Sequence, residues 1–218
     1  MGCRVVPAIL ANKPEDLRRM VEQANSFATW VQFDIMDGNF VPSRSIGWEH
    51  LSTLKIDFGW EAHLMVNHPE EYLEGFFKAG ARRVVFHFEA TSSPKDIIRE
   101  IRGFGLEVGL ALNPETKVSS IVNLVDEVDS VLLLSVHPGF YGQKFLPEVL
   151  GKVGELRQLK AGLEIGIDGG IKEGNILEVA QAGVNSIYIG SAIFLSQDPG
   201  ESFRRLEAKV CGEVEKGR

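Results

Sequence analysis

Two acidic residues stand where acids are costly. In Val31-Gln32-Phe33-Asp34-Ile35-Met36-Asp37-Gly38 an apolar strand pattern runs out into an acidic turn. Side chains alternate along a strand, so Gln32, Asp34 and Met36 project to one side. A carboxylate among apolar neighbours must meet a cation, a donor or a proton. Asp34 is therefore a functional candidate from position alone. Asp168 is a second, in Ile165-Gly166-Ile167-Asp168-Gly169-Gly170, again where an apolar strand breaks into glycines.

These acids have to be positioned by something. Short apolar runs alternate with helical patterns along the chain, with strands expected near 5–10, 30–35, 59–65, 84–87, 107–111, 130–135, 164–167 and 186–189. Between the first two, Pro14–Phe27 places Leu17, Met20, Val21 and Ala24 on one face at helical spacing. Pro14, Pro69 and Pro147 sit where helices should start. Lys78-Ala79-Gly80 and Gln181-Ala182-Gly183 each end a helix with a glycine just before a strand, and the matching stretches 79–85 and 182–188 form a weak internal repeat. Eight strand–helix pairs in 218 residues fit a closed (β/α)₈ barrel, a TIM barrel, better than an open doubly wound sheet. No G-x-G-x-x-G follows the first strand, so no nucleotide cofactor is expected. With no linker in the series, residues 1–218 read as one domain.

Composition narrows the function class. A net charge of −7 without a Lys/Arg block argues against nucleic acid, though not against a small anion in a local pocket. Cys3 and Cys211, near opposite ends, suggest neither a disulfide framework nor a metal cluster. The apolar run 5–10 is too short for a signal peptide and nothing approaches a membrane span, so a cytoplasmic protein with no membrane partner is expected.

Barrels of this kind work at the C-terminal ends of their strands. That filter selects Ala8 and Leu10, then Gln32, Asp34 and Met36, then His63 and Met65, then His87. Ser135 follows with the loop His137-Pro138-Gly139-Phe140-Tyr141-Gly142, and the last two strands give Asp168-Gly169-Gly170 and Gly190-Ser191-Ala192. Bare backbone N–H groups in Gly169-Gly170 and at Gly190-Ser191 suit a phosphate, although paired glycines also serve any tight turn. His87 either lines the site or is a satisfied interior histidine. His50 and His68 read as surface residues, and His137 takes no role. Asp37, in an Asp-Gly turn, reads as a turn former rather than a catalytic acid.

Together the segments resemble the ribulose-phosphate 3-epimerase family over nearly the whole length. The matching stretches are Pro7-Ala8-Ile9-Leu10, Asp34 to Pro42, His63-Leu64-Met65-Val66 and Leu112 to Thr116. Pro138-Gly139-Phe140, Gly142 to Phe145, Asp168-Gly169-Gly170 and Gly190 to Phe194 complete them. The resemblance implies a sugar-phosphate epimerase of carbohydrate metabolism, interconverting ribulose 5-phosphate and xylulose 5-phosphate in the pentose phosphate series. Asp34 and Asp168 would exchange the C3 proton from two faces and, with His63, ligate a divalent metal (zinc, iron, manganese or magnesium) that holds the enediolate oxygen. Met36 and Met65 match methionines lining the family's site, where sulfur would also suit ordinary packing. Pro138, Gly139, Gly142, Gly169, Gly170, Gly190 and Ser191 fall on the substrate and phosphate positions. Self-association through the helical shell is implied in the same way.

The departures cluster at the reacting end. Gln32 stands where the family has its other metal-ligand histidine, Ala8 where it has a serine, and Leu134 where many members have a methionine. An amide oxygen is a harder and weaker ligand than imidazole, so the metal is expected to be held weakly or lost. Lys13, Arg44 and Tyr141 are charged or bulky replacements near the mouth that would suit an altered substrate group; single loop cations are more often simply solvated. Two other function classes stay open: a different phosphosugar enzyme on the same barrel, and a non-catalytic phosphosugar-binding protein. A decarboxylase or aldolase branch is disfavoured, because Asp34-Ile35-Met36-Asp37 lacks the Asp-x-Lys-x-x-Asp lysine. A pure binder has little reason to keep two costly inward carboxylates.

Overall fold

The computed structural model describes residues 2–139 and 143–216, with side chains as far as residue 212. Eight parallel strands close into a barrel in sequence order, each hydrogen-bonded to its neighbours and β8 to β1. They are β1 (Arg4–Ile9), β2 (Trp30–Met36), β3 (Gly59–Met65), β4 (Arg83–His87), β5 (Glu107–Leu112), β6 (Ser130–Leu134), β7 (Glu164–Asp168) and β8 (Ser186–Ile189). All eight expected strands are present, with ends moved by a residue or so.

The helices are α1 (Pro14–Ala24), α2 (Trp48–Leu51), α3 (Leu73–Lys78), α4 (Pro94–Gly103), α5 (Gly151–Leu159), α6 (Ile176–Gln181), α7 (Ser191–Phe194) and α8 (Pro199–Lys216). Helix α1 buries the expected face, Leu17, Met20, Val21 and Ala24. Each fully buried large aliphatic side chain contributes roughly 1.5–3 kcal/mol. Gly80 and Gly183 adopt φ of 95° and 91° at helix ends, the left-handed conformation for which glycine is suited.

One expected strand–helix pair is corrected. Between β5 and β6 the connection carries only a short 3₁₀ turn, Val118–Ile121. Val118, Ile121, Leu124, Val125 and Val128 are still buried, so the segment covers its strands. Its serines and β-branched residues favour local turns over a sustained helix.

Strand alternation sorts the barrel into two cores. Outward residues such as Phe33, Leu64, Phe86, Leu110, Ile167 and Ile187 pack beneath the helices. Inward residues form layers. At the N-terminal end Arg83 is buried against Glu61 at 3.3 Å, Glu107 at 2.6 Å and Glu164 at 3.0 Å. Above this polar plug lies an apolar layer including Val6, Val85, Ala111, Leu132 and Tyr188. Gly166 makes room for it, since a Cβ there would lie 2.6 Å from the Tyr188 ring. The layer above carries the acids.

Candidate functional site

Register decides which side chains meet. Asp34 on β2 pairs with His63 on β3, and Asp168 on β7 pairs with Leu134 on β6 and Tyr188 on β8. Because the sheet closes, Asp34 and Asp168 face one another across the interior although they are far apart in the chain. His63 Nδ1 lies 2.9 Å from Asp34 Oδ1 and 3.8 Å from Asp168 Oδ2. Gln32 lies at the junction: its amide nitrogen donates to Asp34 Oδ1 at 2.8 Å and to Asp168 Oδ2 at 2.7 Å.

The electrostatics follow from burial. Asp34 is pushed up to about 7 by desolvation, against the lowering effect of the Gln32 amide. Asp168 also rises to about 7, first through burial and then through the neighbouring charge of Asp34. Burial drives His63 down to about 4, with Asp168 opposing it. Near neutral pH the pair therefore holds a proton between two carboxylates beside an uncharged imidazole. Such a pair contains one acid and one base at once, which is what a reaction that removes and returns a proton requires.

The same groups can hold a cation. Ligand atoms of Asp34, His63 and Asp168 all lie within 4.8 Å of one another. The Gln32 carbonyl oxygen is buried without a hydrogen-bond partner while its amide nitrogen faces the two acids, so turning the amide over would offer that orphan oxygen to a cation. An oxygen-rich set with one imidazole fits a divalent ion.

Most of the residues selected by strand position come together here. Ala8, Asp34, Met36, His63, Met65, Leu134, Pro138, Gly139, Asp168, Gly169, Gly170, Gly190 and Ser191 line one cavity at the C-terminal mouth. Tyr141 and Gly142 lie outside the described residues. Gly170 has φ 65°, and a Cβ on it would lie 2.5 Å from the Phe145 backbone nitrogen, so a bare glycine is needed for the loop to close over it. Gln143, Val136 and Ile171 also line the cavity and were not anticipated; they sit in loops with no strand alternation to read. Tyr188 also lines it, and alternation with Ser186 on β8 would have found it.

The expected meeting of Lys13 and Arg44 at this mouth is corrected. Arg44 donates to the Asp37 carbonyl at 3.0 and 3.2 Å and borders a neighbouring cavity instead. Lys13 is exposed. Both residues belong to loops whose course the strand pattern does not set. Asp37 is a turn former as expected. Its carboxylate accepts from the backbone of Asn39, Phe40 and Asn67, and those donors hold it low against the cost of burial. His50 and His68 are exposed, and His137 pairs with Glu115 at 2.9 Å. His87 is buried behind His63, with the two Nε2 atoms 2.9 Å apart. Among the described residues, no helix is long and apolar enough to cross a membrane.

The chain is similar to known proteins. Residues 4–194 match the family described as Ribulose-phosphate 3 epimerase. A ribulose-phosphate 3-epimerase of Mycobacterium bovis is 36% identical over 217 residues, covering 96% of this chain and 93% of that protein. The cytoplasmic isoform of ribulose-phosphate 3-epimerase from Oryza sativa subsp. japonica is 37% identical, covering 99% and 97%. Among solved structures, KGPDC from Streptococcus mutans superposes with a TM-score of 0.78 at 12% identity, over 96% of this chain and 98% of that one. At that identity the likeness is one of fold.

Proposed function

The chain belongs to the ribulose-phosphate 3-epimerase family, and from that premise we propose that it is an isomerase interconverting ribulose 5-phosphate and xylulose 5-phosphate. The observation that carries the reading is the pair Asp34 and Asp168, two buried carboxyls in one cavity, each raised to about 7.

In this reading the C3 carbon of the substrate lies between the two side chains. The ionised carboxylate removes the C3 proton from one face, and the protonated carboxyl returns one from the other. After turnover the proton has changed sides, so the reverse reaction is poised. The phosphate end rests on the bare N–H groups of Gly169-Gly170 and Gly190-Ser191. Met36, Met65, Pro138 and Gly139 wall the sugar off from water, which sharpens every charge interaction inside. Asp34, His63 and Asp168 would hold a divalent ion, which would polarise the ketone oxygen. Their grip on it would be weak, because the Gln32 amide already ties the two carboxylates together and its oxygen is a poorer ligand than imidazole. One-domain organisation over 1–218, read from the unbroken strand–helix series, and cytoplasmic location, which the name of the Oryza sativa relative supports, belong to the same proposal; self-association rests on the resemblance alone.

The test is proton exchange at C3 of ribulose 5-phosphate in heavy water, followed by NMR with and without zinc, iron(II), manganese or magnesium. Deuterium entering C3, with xylulose 5-phosphate accumulating, is the expected result. Retained binding of the phosphosugar with no exchange under any condition would replace the enzyme by a binder.

A further inference from the structure

Behind the catalytic cavity a line of groups runs from Asp34 to the barrel rim. His63 Nδ1 is 2.9 Å from Asp34 Oδ1. His63 Nε2 is 2.9 Å from His87 Nε2, with the ring planes 22° apart and the centroids separated by 5.1 Å, so the rings meet nearly edge to edge. His87 Nδ1 is 3.3 Å from Glu89 Oε2. The other carboxylate oxygen, Oε1, accepts from the Asn113 backbone N–H at 2.9 Å and from the Thr116 hydroxyl.

The link between the rings allows two ways to place the hydrogens, and the ends of the line select between them. Between two uncharged rings whose Nε2 atoms are 2.9 Å apart, one nitrogen must donate and the other accept. Glu89 decides which. The Asn113 N–H and Thr116 hydroxyl on Oε1 and His87 on Oε2 hold its pKa low against the cost of burial, so it is a carboxylate, Oε2 can only accept, and His87 carries its hydrogen on Nδ1. His87 Nε2 is then bare and accepts from His63 Nε2–H. His63 is left with a bare Nδ1 lone pair turned toward Asp34 and Asp168, where it takes a hydrogen bond from the proton the two acids share. We propose that Glu89 is a positioning residue which, acting through His87, holds His63 in the tautomer that presents a lone pair and not an N–H to the two aspartates.

That orientation matters for either use of the site. A bare Nδ1 can accept the proton that Asp34 holds, and it can ligate a cation; an N–H there would do neither. Groups behind a ligating histidine set its tautomer in this way, and losing one typically costs about 10–100-fold in metal affinity. The inference rests on the proposed reading for its consequence, while the tautomer itself can be read independently.

The experiment is a long-range ¹H–¹⁵N correlation spectrum of the histidine rings of the full-length protein at pH 6, where the two acids still share a proton and both rings are uncharged. A parallel zinc titration by calorimetry measures the ion alone. In the parent protein His63 should show hydrogen on Nε2 and His87 on Nδ1; the opposite pattern overturns the proposal before any variant is made. In Glu89→Gln the Asn113 N–H and Thr116 hydroxyl keep the amide oxygen, so its NH₂ faces His87. Both rings should then switch tautomer, and zinc affinity should fall about 10–100-fold. Glu89→Asp, which keeps a carboxylate, should retain the parent tautomers. Unchanged tautomers in Glu89→Gln, whatever happens to zinc or turnover, would reduce Glu89 to a structural role. The expected tautomers in a parent that neither binds zinc nor exchanges the C3 proton would sink the epimerase reading and leave this one standing.

Discussion

Gln32 donates to Asp168 across the barrel at 2.7 Å, joining two residues 136 positions apart in the chain. The same nitrogen reaches Asp34, so one neutral amide ties together the two acids of the site. Two carboxylates so close would repel if both were ionised, and the amide offers each a hydrogen bond without adding charge.

Replacing that amide by an imidazole should turn the site toward metal. Gln32→His supplies a further ligand beside Asp34, His63 and Asp168 and removes the NH₂ that bridges the acids. Zinc affinity, measured by calorimetry, should rise about 10–100-fold. An unchanged affinity would show that Gln32 does not limit the site.

Removing either acid should stop the chemistry and spare the anchor. Asp34→Asn and Asp168→Asn should each lower turnover of ribulose 5-phosphate by about 10²–10⁴-fold. Phosphosugar binding, measured by calorimetry, should stay within several-fold, because Gly169-Gly170 and Gly190-Ser191 are untouched.

The same substitutions should stabilise the fold, and the sign can be worked out. Both acids titrate near 7 when folded and ordinarily near 3.8, so between those values the folded state binds more protons. Their contribution to stability is present below pH 4 and is lost as pH rises toward 7. His63 and His87, lowered to about 4, act oppositely and add stability as pH rises from 4 to 6.5. In the parent the two effects offset. Asp168→Asn removes one acid and leaves the histidines, so its unfolding free energy should exceed the parent's by about 1–3 kcal/mol at pH 8. The difference should shrink to nothing by pH 4, in urea titrations at each pH.

Gly170 should not accept a side chain. Its φ of 65° costs alanine about 1–2 kcal/mol. A Cβ there would also press on the Phe145 backbone, so the loop must shift. Gly170→Ala should lower Tm and weaken phosphosugar binding at least tenfold, whereas Gly174→Ala, in open space, should do neither.

Much of this was legible in the chain. Strand alternation was enough to put Gln32, Asp34 and Met36 on one side, and glycines closed the right helices. The missing helix between β5 and β6 was not legible, because residues 118–128 keep a helix-like burial pattern while forming turns. Arg44 was misread for a related reason: its loop folds back to bond the Asp37 carbonyl, a contact no periodicity encodes.

By itself the sequence determined the barrel, the inward direction of the two aspartates and the family, since each depends on local period or on motif order. Only the closed tertiary structure decided how those residues meet. Whether Gln32 plugs a metal position or bridges two acids depends on β2 and β7 facing each other across the barrel. The tautomer of His63 is set by Glu89 through His87, from β3 to β4 and beyond. Distances of about 3 Å between side chains of different strands follow from register and closure, and those are properties of the whole sheet.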